Sequence, residues 1–296
     1  MEGHRSLLVF DIGGSHISTA LCRDRGLELL RVLRSPLPIQ ESPEAFVEAL
    51  AAAGAEVARG EGSLMGGALA IGSPFDYACG ISHMCHKLEY LRDFDLRGAM
   101  ARSFGWREQD IQFLKDTDAF LLGEVASGRT RNFRRAVGIT LGTGIGSAFS
   151  IAGELVTHGR GVPPDGEIWD LPYVGGIVED VLSTRGLKSL YRGSGGDQMT
   201  VAEIASRWHR DPGSVEAFAE FGKHLGRVLR SVTAEFAPQV VIIGGGIAQA
   251  SELFLPAAAA EIAGMEIRLQ VSSSLEDAAL LGAGYYWFKK SGKDFT

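Results

Sequence analysis

Leu7-Leu8-Val9-Phe10-Asp11-Ile12-Gly13-Gly14-Ser15-His16 joins an apolar run to an acid and then to a pair of glycines. Four consecutive apolar residues read as a buried strand over residues 7–10, and the glycines end it in a tight turn. Residues 17–22 and 27–33 read as two further strands about a turn at Asp24-Arg25-Gly26. Three strands before any helix make an antiparallel meander. Ser42-Pro43-Glu44 then supplies an N-cap, a proline at the first helical position and an early acid. Phe46, Val47, Leu50 and Val57 recur at helical spacing until Gly60. Short strands are expected over residues 68–72 and 111–114.

The second half repeats the theme. Ala136-Val137-Gly138-Ile139-Thr140-Leu141 is a strand that runs into Gly142-Thr143-Gly144-Ile145-Gly146-Ser147, and residues 148–151 and 154–156 continue it about Gly153. A long helix capped at Ser214 carries Phe218, Phe221, Leu225, Val228, Val232 and Phe236 on one face until Pro238 stops it. Residues 240–243 form a strand leading into Gly244-Gly245-Gly246, and a last helix is expected over residues 276–288. Each half opens as strand, glycine turn, strand, strand.

At about 150 residues per domain, 296 residues suggest two domains. Apolar residues at 45% and charged residues at 22% give ample core material. Glycine is in excess, 39 of 296 residues against an ordinary ~7%. A net charge of −7 argues against electrostatic binding to nucleic acid or anionic lipid. Four arginines between residues 129 and 135 therefore read as a solvated face. Cys22, Cys79 and Cys85 form no disulfide framework and suit a reducing cytoplasm. The first residues are too short for a secretory segment, and the longest apolar stretch, residues 240–248, is too short to span a membrane.

Small residues at the three strand-to-glycine junctions let backbone N–H groups point into a concavity, the kind of nest that binds phosphate. None matches the dinucleotide or Walker spacing. The first turn carries Asp11 at its strand end, and an acid beside a phosphate loop calls for a cation between them, which suits Mg²⁺.

Phe10-Asp11-Ile12-Gly13-Gly14-Ser15, the run from Ile139 to Ser147, and Val241-Ile242-Ile243-Gly244-Gly245-Gly246-Ile247 resemble the two phosphate motifs and the adenosine motif of the ROK (repressor, ORF, kinase) family. The resemblance spans essentially the whole chain. It implies a two-domain α/β fold of the actin/hexokinase/Hsp70 type (ribonuclease H-like) around a cleft. A smaller domain would cover residues 1–116, with residues 276–296 packing back onto it, and a larger one residues 117–275. It further implies an ATP-dependent hexose or amino-hexose kinase. Asp11, Gly13, Gly14 and Ser15 would face the Mg-ATP phosphates, with Asp11 supporting Mg²⁺ through water. Gly142, Thr143, Gly144 and Gly146 would clamp the phosphates, and Gly244, Gly245 and Gly246 would lie beside the adenosine. Asp116 falls on the catalytic position, where a carboxylate at a strand end can accept the sugar hydroxyl's proton. A helix N-cap is its other reading, with Asp118 structural. A cytoplasmic homodimer is implied as well, without the family's added DNA-binding domain.

The sequence departs from the family pattern in its sugar region. Lys115 stands where the family usually has Asn, positioned to contact the substrate, swing away, or lower the pKa of Asp116. In Gly166-Glu167-Ile168-Trp169-Asp170-Leu171-Pro172-Tyr173, Glu167 matches the family's sugar loop and Asp170 takes the place of its His. The zinc cysteines are absent, and packing of Leu171, Tyr173 and Val178 is expected in their stead; Glu179 matches the family's second Glu. Trp169 could stack on an apolar sugar face. Asp76 is either a sugar-side residue or a turn cap. Cys79, His83, Cys85 and His86 lie too close together for a structural zinc site, so none is expected. The alternative to a kinase is a catalytically inactive sugar or nucleotide sensor acting through partners.

Overall fold

The computed structural model describes residues 5–14, 16–37, 42–85, 88–274 and 277–292. They form two compact units, Met1–Ser127 with Asp277–Thr296, and Gly128–Glu276. No described helix is long and apolar enough to cross a membrane.

In the first unit, β1 (Ser6–Ile12), β2 (His16–Arg23) and β3 (Glu28–Pro36) make the expected antiparallel meander. Helix α1 (Pro43–Val57) begins as the sequence reading has it, with the Ser42 hydroxyl accepting the Ala45 N–H and Pro43 at the first position. It returns the chain to β4 (Leu64–Ile71), parallel to β1. A small hairpin, β5 (Phe75–Asp76) and β6 (Ile81–Ser82), and helix α2 (Leu96–Phe104) lead to β7 (Ile111–Lys115), parallel to β4. Helix α3 (Asp116–Ala126) follows at once. The sheet order is β3-β2-β1-β4-β7.

The second unit repeats that plan. Strands β8 (Arg135–Leu141), β9 (Ile145–Ile151) and β10 (Glu154–Val156) form a meander. A hairpin, β11 (Pro172–Tyr173) and β12 (Gly176–Ile177), precedes helices α4 (Val178–Val181), α5 (Thr184–Gly193), α6 (Val201–Ser206) and α7 (Pro212–Thr233). Then come β13 (Val240–Gly244), α8 (Ser251–Glu261) and β14 (Arg268–Val271), giving the order β10-β9-β8-β13-β14 with β13 parallel to both neighbours. The capping of α7 differs from the reading at Ser214. Asp211 is the N-cap, accepting the Gly213 N–H, with Pro212 next to it. The buried Ser214 hydroxyl instead donates to the Ile204 carbonyl and ties α6 to α7.

The last helix, α9 (Ala278–Lys290), rejoins the first unit, packing on β1 and β4 and most extensively on α3; Glu276, its expected start, lies outside the described residues. Strand β1 is buried on both faces. Leu8, Phe10 and Ile12 join Phe46, Leu50, Leu69, Ile71 and Phe113 in one core, while Leu7 and Val9 take the opposite face by strand alternation. Helices α3 and α9 meet backbone to backbone. A Cβ on Gly123 would overlap the Ala278 carbonyl, and one on Gly282 the Ala119 carbonyl. The sequence division after Asp116 assigns α3 to the second unit; in the structure this contact holds it in the first.

Candidate functional site

The first unit gathers its site residues where β1, β4 and β7 end. Asp11 pairs with Ala70 across the sheet, and Ala70 with Leu114. Asp116 follows two residues later, so parallel pairing through β4 brings two acids from distant sequence positions to the same edge of the sheet, at the carboxyl ends of β1 and β7. Burial pushes the Asp11 carboxyl up to about 7, repulsion from the Asp116 carboxylate adds to the rise, and Arg34 opposes it. Arg34 in turn holds Asp277 at 2.7 Å. The turn after Asp11 is closed by the Gly13 N–H donating to the His16 carbonyl at 3.0 Å, with Gly14 exposed beside it. Ser15 lies outside the described residues.

Asp116 is half-buried at the first position of α3, where its Oδ1 accepts the Thr117 N–H at 2.7 Å. The N-cap of α3 is Lys115, which gives no side-chain cap. Lys115 is buried, and its ammonium lies 3.7 Å from Asp118 Oδ1. The pair explains how a lysine is tolerated at a buried strand end, since an unpaired charge there would be costly.

Asp76 caps its own turn, its Oδ1 accepting N–H groups from Ala78 at 3.0 Å and Cys79 at 2.9 Å. These bonds hold its carboxyl below the usual range. Cys79 and Cys85 are exposed free thiols, and His83 pairs with Asp93 at 3.2 Å; His86 is outside the described residues. Among the described residues no group of three or more His, Cys, Asp or Glu is arranged to hold a metal ion. Arg129, Arg131, Arg134 and Arg135 are all exposed.

In the second unit two glycine turns share one end of the sheet. Gly244 pairs with Thr140, and a Cβ on Gly245 (φ 84°) would overlap Leu141 immediately before Gly142. Only glycine satisfies both that backbone angle and that approach. In the hairpin between β8 and β9, the Gly142 N–H donates to the Gly144 carbonyl at 2.9 Å. The Gly142 carbonyl accepts from both the N–H and the hydroxyl of Thr184, at 2.8 and 2.9 Å. Thr143 and Gly246 are exposed, and Gly146 is half-buried.

The acids of the sugar-loop motif stand beside that hairpin. Glu179, in α4, lies so close to Gly144 that a Cβ there would overlap its Oε2. Its N–H donates to the Trp169 carbonyl at 2.9 Å. The Trp169 indole donates to Glu167 Oε2 at 2.6 Å. Glu167, Trp169, Glu179 and Gly144 therefore form one connected cluster within this unit, with Asp170 exposed at its edge. Beneath it Val178 is buried and Leu171 and Tyr173 pack on the core, the packing expected in place of zinc cysteines. Sequence reasoning missed Thr184, whose clamp on Gly142 crosses 42 residues and leaves no local signal.

Comparison with known proteins follows the same outline. A family model described as "ROK family" matches residues 7–290. A glucokinase of Thermotoga maritima is 26% identical over 94% of this chain and 95% of its own length. The crystal structure of a ROK family glucokinase from Streptomyces griseus, in complex with glucose and AMPPNP, superposes with a TM-score of 0.80 at 21% identity, covering 95% of this chain and 98% of that one. A ROK hexokinase from Thermus thermophilus gives 0.77 at 23% identity, covering 97% and 99%. These likenesses establish the fold, two α/β domains of the actin/hexokinase/Hsp70 type.

Proposed function

The chain belongs to the ROK family, and from that premise we propose that it is an ATP-dependent sugar kinase, transferring the γ-phosphate to a hexose or amino-hexose hydroxyl. The observation that carries the reading is the convergence of Asp11 and Asp116 at the ends of parallel strands, where burial, with the repulsion of Asp116 added, raises the Asp11 pKa. Phosphoryl transfer needs charge neutralisation and one acceptor for the hydroxyl's proton. Asp116, whose Oδ1 accepts the Thr117 N–H, is that acceptor.

Asp11 is suited to the other need. A carboxylate held back from ionising by burial and a like charge is stabilised by a cation, and its hard oxygens fit Mg²⁺, which uses one or two carboxylates and keeps several waters. Mg²⁺ bound with ATP would supply the charge neutralisation, held by Asp11 through water. The turns at Gly13–Gly14, Gly142–Gly146 and Gly244–Gly246 offer backbone N–H groups to the nucleotide. Glu167 and Glu179 accept hydrogen bonds from sugar hydroxyls, with Asp170 at the rim. The reading carries with it a cytoplasmic homodimer without structural zinc and without nucleic-acid or membrane partners.

Coupled ATP turnover against glucose, mannose, N-acetylglucosamine and N-acetylmannosamine tests it. Sugar-dependent ADP release with at least one is expected; none with any would overturn the reading. A second reading, an inactive sensor, draws on the buried Lys115–Asp118 pair and on Asp170 standing in place of the family's Asn and His. Turnover with any sugar removes it.

A further inference from the structure

Ser147 closes the glycine hairpin's motif, yet its side chain turns into the core. It is 2% exposed, and its hydroxyl reaches the sugar loop from inside the core. It donates to the Gly166 carbonyl at 2.6 Å and accepts the Ile168 N–H at 3.1 Å. Those two groups belong to the peptide planes on either side of Glu167. Fixing both planes fixes the backbone dihedrals of Glu167 and hence the direction in which its side chain leaves the chain. Ile168, fully buried in the second unit's core, anchors the same loop. The Trp169 indole then holds the carboxylate itself at 2.6 Å, and the Trp169 carbonyl carries the linkage on to Glu179.

We propose that Ser147 and Trp169 are positioning residues that aim Glu167, and through it set affinity for the sugar while leaving phosphoryl transfer and nucleotide binding alone. Ser147 lies on β9, paired opposite Ile139 in the middle strand of the meander, so its hydroxyl refers the loop to the rigid part of the unit. Loops carrying recognition groups need such support, because a small misplacement of a contact group is costly. This inference rests on the kinase reading, with Glu167 as a sugar ligand.

The experiment compares wild type, Ser147→Ala and Trp169→Phe, using whichever sugar of the panel above turns over fastest. The phenylalanine keeps an aromatic face and loses only the indole donor. In each variant the sugar KM is expected to rise about tenfold, the order of a lost hydrogen bond expressed as affinity; Ser147→Ala removes two buried ones and Trp169→Phe one exposed one. The KM for ATP and kcat should stay within about twofold, on the same scale. A sugar KM unchanged in the folded variants, or a parallel rise in both KM values, would overturn the proposal. Should Ser147→Ala fail to fold, Trp169→Phe decides alone. Absence of wild-type turnover with every sugar fails the kinase reading instead, so the two failures are distinguishable.

Discussion

Asp11 shows how position alone changes an ordinary side chain. Its carboxyl is pushed up to about 7 by burial and by Asp116, so the folded chain keeps a proton that the unfolded chain has already released. Where the native state binds the extra proton, stability falls as pH rises, here between about pH 4 and about pH 7. Asp11→Asn removes that contribution. The stability of wild type minus that of the variant should decline across this window in urea melts and then level off; a flat difference would show that Asp11 titrates normally. Gly144 offers a second test. The nearest atoms a methyl there would meet all belong to the end of the Glu179 side chain, so Gly144→Ala should melt within about 2 °C of wild type, as changes worth ~0.5 kcal/mol do. Displacing Glu179 should nonetheless lower kcat/KM for the sugar by about tenfold, the cost of roughly one hydrogen bond. Unchanged sugar kinetics would separate Glu179 from the sugar.

Between elements, the crossing of α3 and α9 is the contact the sequence least reveals. The two helices lie about 150 residues apart in the chain, yet Gly123 and Gly282 let their backbones touch. Gly282→Ala is predicted to destabilise the first unit by ~1–3 kcal/mol or more, because backbone must shift. Gly193→Ala, in α5 with open space around it, should be neutral or stabilise by up to ~1 kcal/mol. Urea denaturation of both variants checks the contrast, and equal effects would argue against the close approach. Other elements were legible because their signals are local. Ser42-Pro43 announces α1, and the run before Asp11 announces β1. The misplaced start of α7 was local too: Asp211-Pro212 carries the cap-and-proline signature three residues before Ser214, which is drawn instead to the Ile204 carbonyl.

For the whole molecule, the duplicated plan could be read from two apolar strands that each run into glycines, because a meander needs only neighbouring segments. The parallel strands β4, β7, β13 and β14 are placed by long crossovers, so pairing such as Asp11 with Ala70 had no local mark. The same holds for the site. Its acids were visible one by one, whereas Ser147's grip on either side of Glu167, at separations of 19 and 21 residues, became visible only with the fold.

The kinase proposal stands on Asp116 as the acceptor of the sugar hydroxyl's proton. The most direct measurement sets wild type beside Asp116→Asn for sugar-dependent ADP release, with nucleotide affinity measured by calorimetry on the same preparations. A loss of ~10²–10⁴-fold in phosphorylation is expected, with nucleotide binding unchanged within about twofold. An asparagine variant that phosphorylates sugar at the wild-type rate would contradict it.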